Sequence, residues 1–501
     1  MPFEIIEVDD IYTHANEIVK KNYPDTNYNF PKLYTDKYDL ESEGYKYFDS
    51  FINNRVAPAG STVKIFPKNE IQENSTGWDV INRNIIHPMP YWLYVLKVGF
   101  QDAGFELTGD ILTDTYLKQR CIFGNQEYHT TVDQKYQKTY VFDEEFIDNK
   151  VVNGEIFGSW KKTFTISAPG KYRFIGSCFT NFSGSSTLTI KKNGSVLQVF
   201  NSQSNAQLLS FDKEITIDIA ESESNPVYSF EFFGKTQEDR SNSEDVNIGV
   251  AEININPMRQ NTVAGDPIPF IFNFNRVDIA KAVPDWGFGE LVNLVKNWRN
   301  YDLTFESGKA IMNRIVVDKK AEPEDFTQYE IDDPIRSKND KRYFYIKFPD
   351  SENTTSENVL FSNGTYQLNP GSVPSDATTI DINGLCLPLT TFRANTTAKA
   401  LDESALMLVY YDGLDMNGNN HAKNPAGLNG AHFAEDNKDW YLNRLTNFTF
   451  KWTFTINKNK MRRFNIRSEI YAFQKKHWIK SWVVNSISDL NYSVEIETET
   501  F

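Results

Sequence analysis

A chain of 501 residues is longer than one hydrophobic core organises, so roughly two to four domains are expected. Its 40 % hydrophobic and 24 % charged residues are those of a folded chain and exclude a disordered one. A net charge of −15 argues against wrapping nucleic acid over the whole surface, which needs phosphate-neutralising Lys and Arg. Aromatic residues at 14 %, with Asn-rich turns, favour β structure. Cys121, Cys178 and Cys386 stand far apart, so neither a disulfide framework nor a zinc site is suggested. The opening MPFEIIEVDD is not a basic-then-apolar leader, and no run nears the ~18 apolar residues of a membrane span. The expectation is a protein made and folded in a cytoplasm.

Residues 1–85 read as an opening strand (Phe3, Ile5, Val8) followed by an ordered, extended arm from Asn27 to Arg55. So many aromatics could hardly stay solvated. Residues 86–149 hold the first distinctive unit, HPMPYWLYVLKVGFQDAGFELTGD (His87–Asp110). Pro88 and Pro90 stand at a helix entrance, where a missing N–H does least harm. Trp92, Val95, Leu96, Gly99, Phe100 and Ala103 then recur at helical spacing. Gly104 stops the helix, and Phe105 and Leu107 alternate with Glu106 and Thr108 at strand spacing before Gly109 closes the unit.

Near residue 150 the character changes. Residues 150–257 run as short alternating strands, with turns at Ala168–Lys171 and Lys192–Gly194, and read as an inserted β-sandwich. Sandwiches of this size often stack sugars on aromatic rings, which makes Trp160 and Tyr172 candidate glycan contacts. Strand alternation instead points both of them, with Phe174, into the core.

Residues 258–400 contain a second helix–strand unit, VPDWGFGELVNLVKNWRNYDLTFESG (Val283–Gly308). With Pro284 set against Pro88, Trp92 meets Phe288 and Leu96 meets Val292. Phe105 then meets Tyr301, and Leu107 meets Leu303. Such self-similarity points to internal duplication; the alternative is two unrelated amphipathic helices. Strands at Ile311–Val317 and Tyr343–Phe348 follow, with long polar loops at Ala321–Asp333 and Asp350–Thr379. Residues 401–501 form a C-terminal β-rich segment. ALMLVYYDGLD is an apolar strand, and a Gly- and Asn-rich loop runs to Gly430. DWYLNRL is a short helix, Phe448 to Ile456 an alternating strand, and RSEIYAFQKKHWIKSWVVNSIS a hairpin with Gln474–His477 at its tip.

Chemistry-bearing motifs are weak. DGLDMNGNN (Asp412–Asn420) lacks two of the carboxylates a calcium loop needs and reads as a turn. SAPGKY (Ser167–Tyr172) lacks the earlier glycine and the following hydroxyl of a phosphate-binding loop. The six histidines are scattered, pairs such as Glu144 and Glu145 are expected by chance, and Lys458, Lys460, Arg462 and Arg463 form a solvated basic turn. Sequons at Asn353 and Asn363 mean little without a secretory signal.

Several segments together resemble the tail-hub or baseplate-hub-like structural proteins of tailed bacteriophages and prophages of Bacteroidota. They are YNFPKLYTDKYDL with FINN, the helix PMPYWLYVL with its closing GD, LMLVYYDGL, DWYLNRL and IYAFQKKHWIKS, in that order. The resemblance spans most of the chain outside 150–257. It implies an α+β, β-rich multidomain fold with two related hub-type β domains, each with a packed helix, plus the inserted β-sandwich. It implies a structural virion protein and no enzyme, with no catalytic, metal or cofactor residues to carry over. Such hubs form a homo-oligomeric ring, commonly a trimer made pseudo-sixfold by its duplicated domains, at the distal end of the tail. The implied partners are the tail tube, the tape-measure protein and fibre or baseplate proteins, with DNA only in transit. The alternative is a receptor- or glycan-binding tail protein that uses the sandwich.

Overall fold

The computed structural model describes all residues except 39–44, 75–76, 133–136, 143–147, 153–154, 167–168, 181–185, 203–207, 218–225, 236–247, 261–269, 316–321, 339–341, 350–356, 403–404, 424–429, 463 and 465–467. The fold is β-rich. Among the described residues the helices of eight residues or more are α1 (Ile11–Ile18), α2 (Trp92–Asp102), α3 (Phe288–Arg299) and α4 (Gly430–Thr446). The first half of the chain supplies strands β1 (Glu106–Thr108), β2 (Arg120–Phe123), β3 (Lys138–Phe142), β4 (Asp148–Val152), β5 (Glu155–Thr165), β6 (Gly170–Thr180), β7 (Ser186–Lys192) and β8 (Ser195–Asn201). The second supplies β9 (Leu208–Ile217), β10 (Val227–Lys235), β11 (Ile248–Gln260), β12 (Tyr301–Glu306), β13 (Lys309–Arg314), β14 (Leu406–Tyr410), β15 (Phe448–Asn457), β16 (Glu469–Ala472), β17 (Lys475–Ser486) and β18 (Asn491–Thr500).

The two helix–strand units enter and leave their helices alike. Tyr91, extended at φ −67° and ψ 135°, precedes α2, and Gly287, at φ −63° and ψ 134°, precedes α3. Gly104 at φ +83° and Asn300 at φ +54° end them, because glycine and asparagine tolerate the left-handed conformation best. Pro88 and Pro90 lie upstream of the first turn. Pro90 belongs to the short strand Met89–Pro90, paired with Tyr28–Asn29.

The helices touch and run antiparallel. Trp92 opens α2 against Trp298 near the end of α3, with ring centroids 6.1 Å apart. Phe100 near the end of α2 meets Phe288 at the start of α3 edge-on at 4.9 Å. Gly99 permits the approach, since a Cβ there would collide with the Phe288 ring. The strands repeat the relation. β13 pairs antiparallel with β12 and parallel with β1, so β1 and β12 flank it in opposite directions. The sequence assigned each helix to its own domain; instead both lie in one core, because each fills the other's groove with aromatic rings.

A neighbouring core gathers Leu33, Phe48 and Ile52 of the arm, Met89 and Tyr91, Cys121 and Phe123 of β2, and Met407 and Val409 of β14. Leu33, Phe48 and Ile52 thus tie the arm into the interior. β14 pairs antiparallel with β2 and parallel with Gly384–Cys386.

The C-terminal strands β15 to β18 build a six-stranded sheet with the short strands Glu324–Asp325 and Ile335–Lys338. Phe450, Trp452, Phe454 and Ile456 alternate into its core. Three expectations shift here. α4 begins at Gly430, well before Asp439. The hairpin turns at Phe473 and Gln474, with φ of 50° and 59°, so Lys475 to His477 belong to β17. The polar stretches expected as loops carry structure. Phe326 and Tyr329 are buried beside Phe454, and Val359–Ser362 pairs with Thr365–Leu368.

Residues 138–260 form two sheets, ordered β3-β11-β6-β9 and β4-β5-β10-β7-β8. Trp160, Phe164, Tyr172, Phe174, Leu188, Phe230 and Ile253 fill a separate core between them. The sheets overrun the expected 150–257 limits because β3 and β11 pair from Lys138 with Ile255 to Phe142 with Ala251. Asn193 and Gly194, at φ 47° and 84°, make the hairpin turn expected at Lys192–Gly194. The turn expected at Ala168–Lys171 lies partly outside the described residues.

Gly99→Val tests the helix contact. It is expected to destabilise the chain by about 1–3 kcal/mol in chemical denaturation, as overpacking does. Adding Phe288→Ala should make the pair less destabilising than the sum of the two single changes.

Candidate functional site

The candidate repeat residues converge on one seam. Trp92 and Phe288 are the first residues of their helices, and Leu96 and Val292 are buried behind them. Leu107 and Tyr301 are buried on β1 and β12, while Phe105 and Leu303 pack half-buried against the same core. Pro88 is buried and Pro284 half-buried, each four residues before its helix. Trp160 and Tyr172 are elsewhere. They are 3 % and 0 % exposed inside the sandwich, and Trp160 stacks on Phe232 at 5.4 Å. Neither presents a ring face to a sugar, which corrects their candidacy as glycan contacts.

Behind the seam lies a charged network that ties the two units to α4. Arg299, at the end of α3, donates from Nη1 to Asp436 Oδ2 at 2.5 Å and from Nη2 to Asp114 Oδ2 at 3.4 Å. Tyr301 Oη donates to the same Asp114 oxygen at 2.8 Å. Asp114 Oδ1 also caps the short helix Thr115–Lys118, accepting from the Tyr116 N–H at 2.8 Å. The Tyr116 ring has Arg120 at 4.0 Å and Arg299 at 4.4 Å from its centroid. Burial opposes the Arg299 charge, but Asp114 and Asp436 outweigh it and raise its pKa. Burial likewise raises the Tyr116 and Tyr301 hydroxyls. The Gly109–Asp110 pair that closes the first unit is anchored too. The Asp110 carboxylate accepts from the Arg314 N–H at 2.9 Å, and its own N–H donates to Asn313 Oδ1 at 3.0 Å. None of Asp114, Arg120 or Arg299 was singled out by sequence. Their spacing is non-local, and only the capping position of Asp114 gave a local signal.

A cavity of about 260 Å³ opens beside the second core, lined among others by Tyr38, His87, Phe123, Tyr128 and His129. His87 immediately precedes Pro88, and its backbone is clamped by Asn53, which accepts from its N–H and donates to its carbonyl, each at 2.8 Å. Its ring is 2 % exposed, with Phe123 and Tyr128 centroids at 5.1 and 5.3 Å, and Nε2 has no hydrogen-bond partner among the described residues. Burial, and then the facing His129, hold its pKa down to about 3. A neutral imidazole of this kind can exchange one hydrogen bond with an uncharged polar group; it cannot hold an anion. A second, larger cleft of about 740 Å³ runs past Tyr12, Tyr47, Ile65 and Lys68.

The remaining sequence candidates are structural. Asp415 accepts from the Asn417 and Asn419 N–H groups at 2.8 Å, an Asx-type turn closed by Gly418 at φ +72°. Lys458 donates to Ser486 and Lys460 to Gln328, at the surface. Asn363 sits in a hairpin turn at φ 48°. Glu144, Glu145, Asn353 and Arg463 lie outside the described residues. Among the described residues no three His, Cys, Asp or Glu side chains gather in a metal-binding arrangement.

Comparison with protein families and with curated sequences returns no match. Solved structures offer distant likenesses. The tail protein from Neisseria meningitidis MC58 is 8 % identical, covers 68 % of this chain and 96 % of its own, and superposes with a TM-score of 0.22. The C-terminal CBM6 of LamC, a marine laminarinase from Zobellia galactanivorans, is 8 % identical and covers 24 % of this chain and 99 % of its own at a TM-score of 0.15. A family 35 carbohydrate binding module from Clostridium thermocellum is 11 % identical, covering 23 % and 97 %, also at 0.15.

Two measurements probe the site. Arg299→Met strands Asp114 in the interior and should cost about 3–5 kcal/mol in denaturant unfolding. Acid should destabilise the chain as well. Burial holds His87 down to about 3 and His421 and His477 down to about 4, against an ordinary 6.5. The unfolded chain therefore binds more protons, so stability present above pH 6.5 is lost as pH falls toward those values. The urea midpoint should drop between pH 7 and pH 5, and less steeply in His87→Gln. An unchanged slope in that variant would rule out a neutral, buried His87.

Proposed function

We propose that the chain is a structural protein of a phage tail, a hub joining the tail tube to the baseplate or receptor-binding apparatus and leaving a channel for DNA. It would be made in the host bacterial cytoplasm and act in the virion as a homo-oligomeric ring, a trimer. One observation carries this reading: the segments bearing the hub resemblance, scattered from the arm to the last hairpin, meet in space. Leu33 and Phe48 of the arm, Met89 and Tyr91 before α2, and Met407 and Val409 of β14 share one core. Phe433 and Tyr441 of α4 join Trp92 and Leu96 of α2 in the next. Trp440 of α4 packs on Trp478 of the closing hairpin, ring centroids 5.2 Å apart.

The matching entry and exit of α2 and α3 support duplicated hub-type units. Their antiparallel contact relates them by about half a turn, which is not the rotation a pseudo-sixfold ring requires, so the trimer rests on the resemblance. The sandwich, with its own core, is the part outside the hub body. The glycan-binding alternative loses Trp160 and Tyr172 as its contacts.

Mass measurement of the purified chain, then electron microscopy of purified particles with the sandwich tagged, tests the proposal. A closed trimeric ring on the tail axis, with density for the tag at its periphery, is expected. A chain that stays monomeric at high concentration and is missing from the distal end of the tail sinks it.

A further inference from the structure

A pocket of about 280 Å³ opens between the arm and the Leu389–Ala398 hairpin, away from the helix seam. Lys32, Arg55, Lys64 and Arg393 line it, with Asp49 as the acid among its lining residues. In a chain of net charge −15 that concentration of cations runs against the composition. Asp49 is already engaged, its Oδ1 accepting from Arg393 Nη1 at 2.8 Å.

The other three cations meet neutral acceptors only, among the described residues. Lys32 Nζ donates to Asn395 Oδ1 at 3.4 Å and lies 4.4 Å over the Phe51 ring. Arg55 donates from Nε to Asn16 Oδ1 at 3.2 Å and from Nη1 to the Gly418 carbonyl. Lys64 Nζ donates to Asn419 Oδ1. Lys32 is 3 % exposed and Arg55 7 %. Asp49 is their one nearby counter-charge and is shared with Arg393, so the cations outnumber it; buried cations in excess are costly, and an anion would return that cost. The strain is visible in the neighbouring groups. Burial takes the Lys32 ammonium down to about 8, Lys64 adding to the effect and Asp49 opposing it. Burial and then Lys32 press His421 down to about 4.

We propose that this pocket binds a phosphate group. Four cations against one carboxylate leave an excess of positive charge that suits the roughly −1.5 to −2 of a phosphate monoester better than the single charge of a carboxylate. Ammonium and guanidinium donors suit its oxygens. A volume of about 280 Å³ has room for a phosphate group and its ester oxygen. The site is independent of the hub assembly and stands or falls without it.

Thermal unfolding of the full chain with inorganic phosphate, glycerol phosphate or a short single-stranded oligodeoxynucleotide tests this, each against sodium chloride at equal ionic strength. A saturable rise in Tm beyond the salt control is expected for at least one of them. Which one identifies free phosphate, a monoester or a diester as the source. Lys64→Gln, at a half-buried position, should weaken the fitted affinity about tenfold, the loss of one charge-assisted hydrogen bond, each shift being read against that variant's own ligand-free Tm. Lys32→Met should abolish the shift; if that variant fails to fold, Lys64→Gln decides. Absence of any saturable shift beyond salt, or an equal shift in Lys64→Gln, overturns the assignment.

Discussion

The structure depends on one close approach. Gly99 presents bare backbone to the Phe288 ring, and around that point Trp92 and Trp298 at one end, Phe100 and Phe288 at the other, lock two helices antiparallel. Everything the two units carry outward follows from it. β1 and β12 are held at opposite edges of β13, Phe105 comes onto Phe305 at 4.6 Å, and the Asp110 loop reaches the end of the second unit's return strand, β13. A seam built from aromatic edges and a missing side chain is specific in register, because a shift by one residue would put a Cβ where the ring now sits.

Charge reinforces the seam where apolar packing ends. Arg299 and Asp114 are both about nine-tenths buried, and each would be costly alone. Together with Asp436 and Tyr301 they join α3, α4 and the Thr115–Lys118 helix at one point. A buried ionic network of this kind adds little net stability over an apolar replacement, but it penalises misalignment heavily, which suits a body assembled from segments distant in sequence.

What was legible in the sequence was what local physics decides. Helical spacing and the Gly104 stop gave α2, and Asn193–Gly194 gave the hairpin between β7 and β8. Alternation gave β15, and it also pointed Trp160 and Tyr172 inward, against the sugar-binding alternative. What was not legible needed distant partners. The start of α4 sets only Phe433 and Ala434 among His432, Glu435, Asp436 and Lys438, and its partners there are distant: Asp436 accepts from Arg299 and Glu435 from Tyr366. Phe326 and Tyr329 are two apolar residues in an acidic stretch, too sparse to signal a packed segment until the C-terminal sheet is in place. The basic pocket draws Lys32, Arg55, Lys64 and Arg393 from separate segments of the chain, so no run of charge announced it.

The placement of the sandwich between the two helix–strand units has a consequence for biosynthesis. α2 leaves the ribosome with its aromatic face complete and its partner α3 not yet made, and the sandwich emerges in between. At about 5–20 residues per second that interval is of the order of ten seconds or more. The sandwich owns its core and can close during the wait, while Trp92, Leu96 and Phe100 of the first helix can meet α1 and the segments up to β2 but not yet α3. The face of α2 that the finished body closes over α3 therefore stays open on the nascent chain for as long as the sandwich takes to be made.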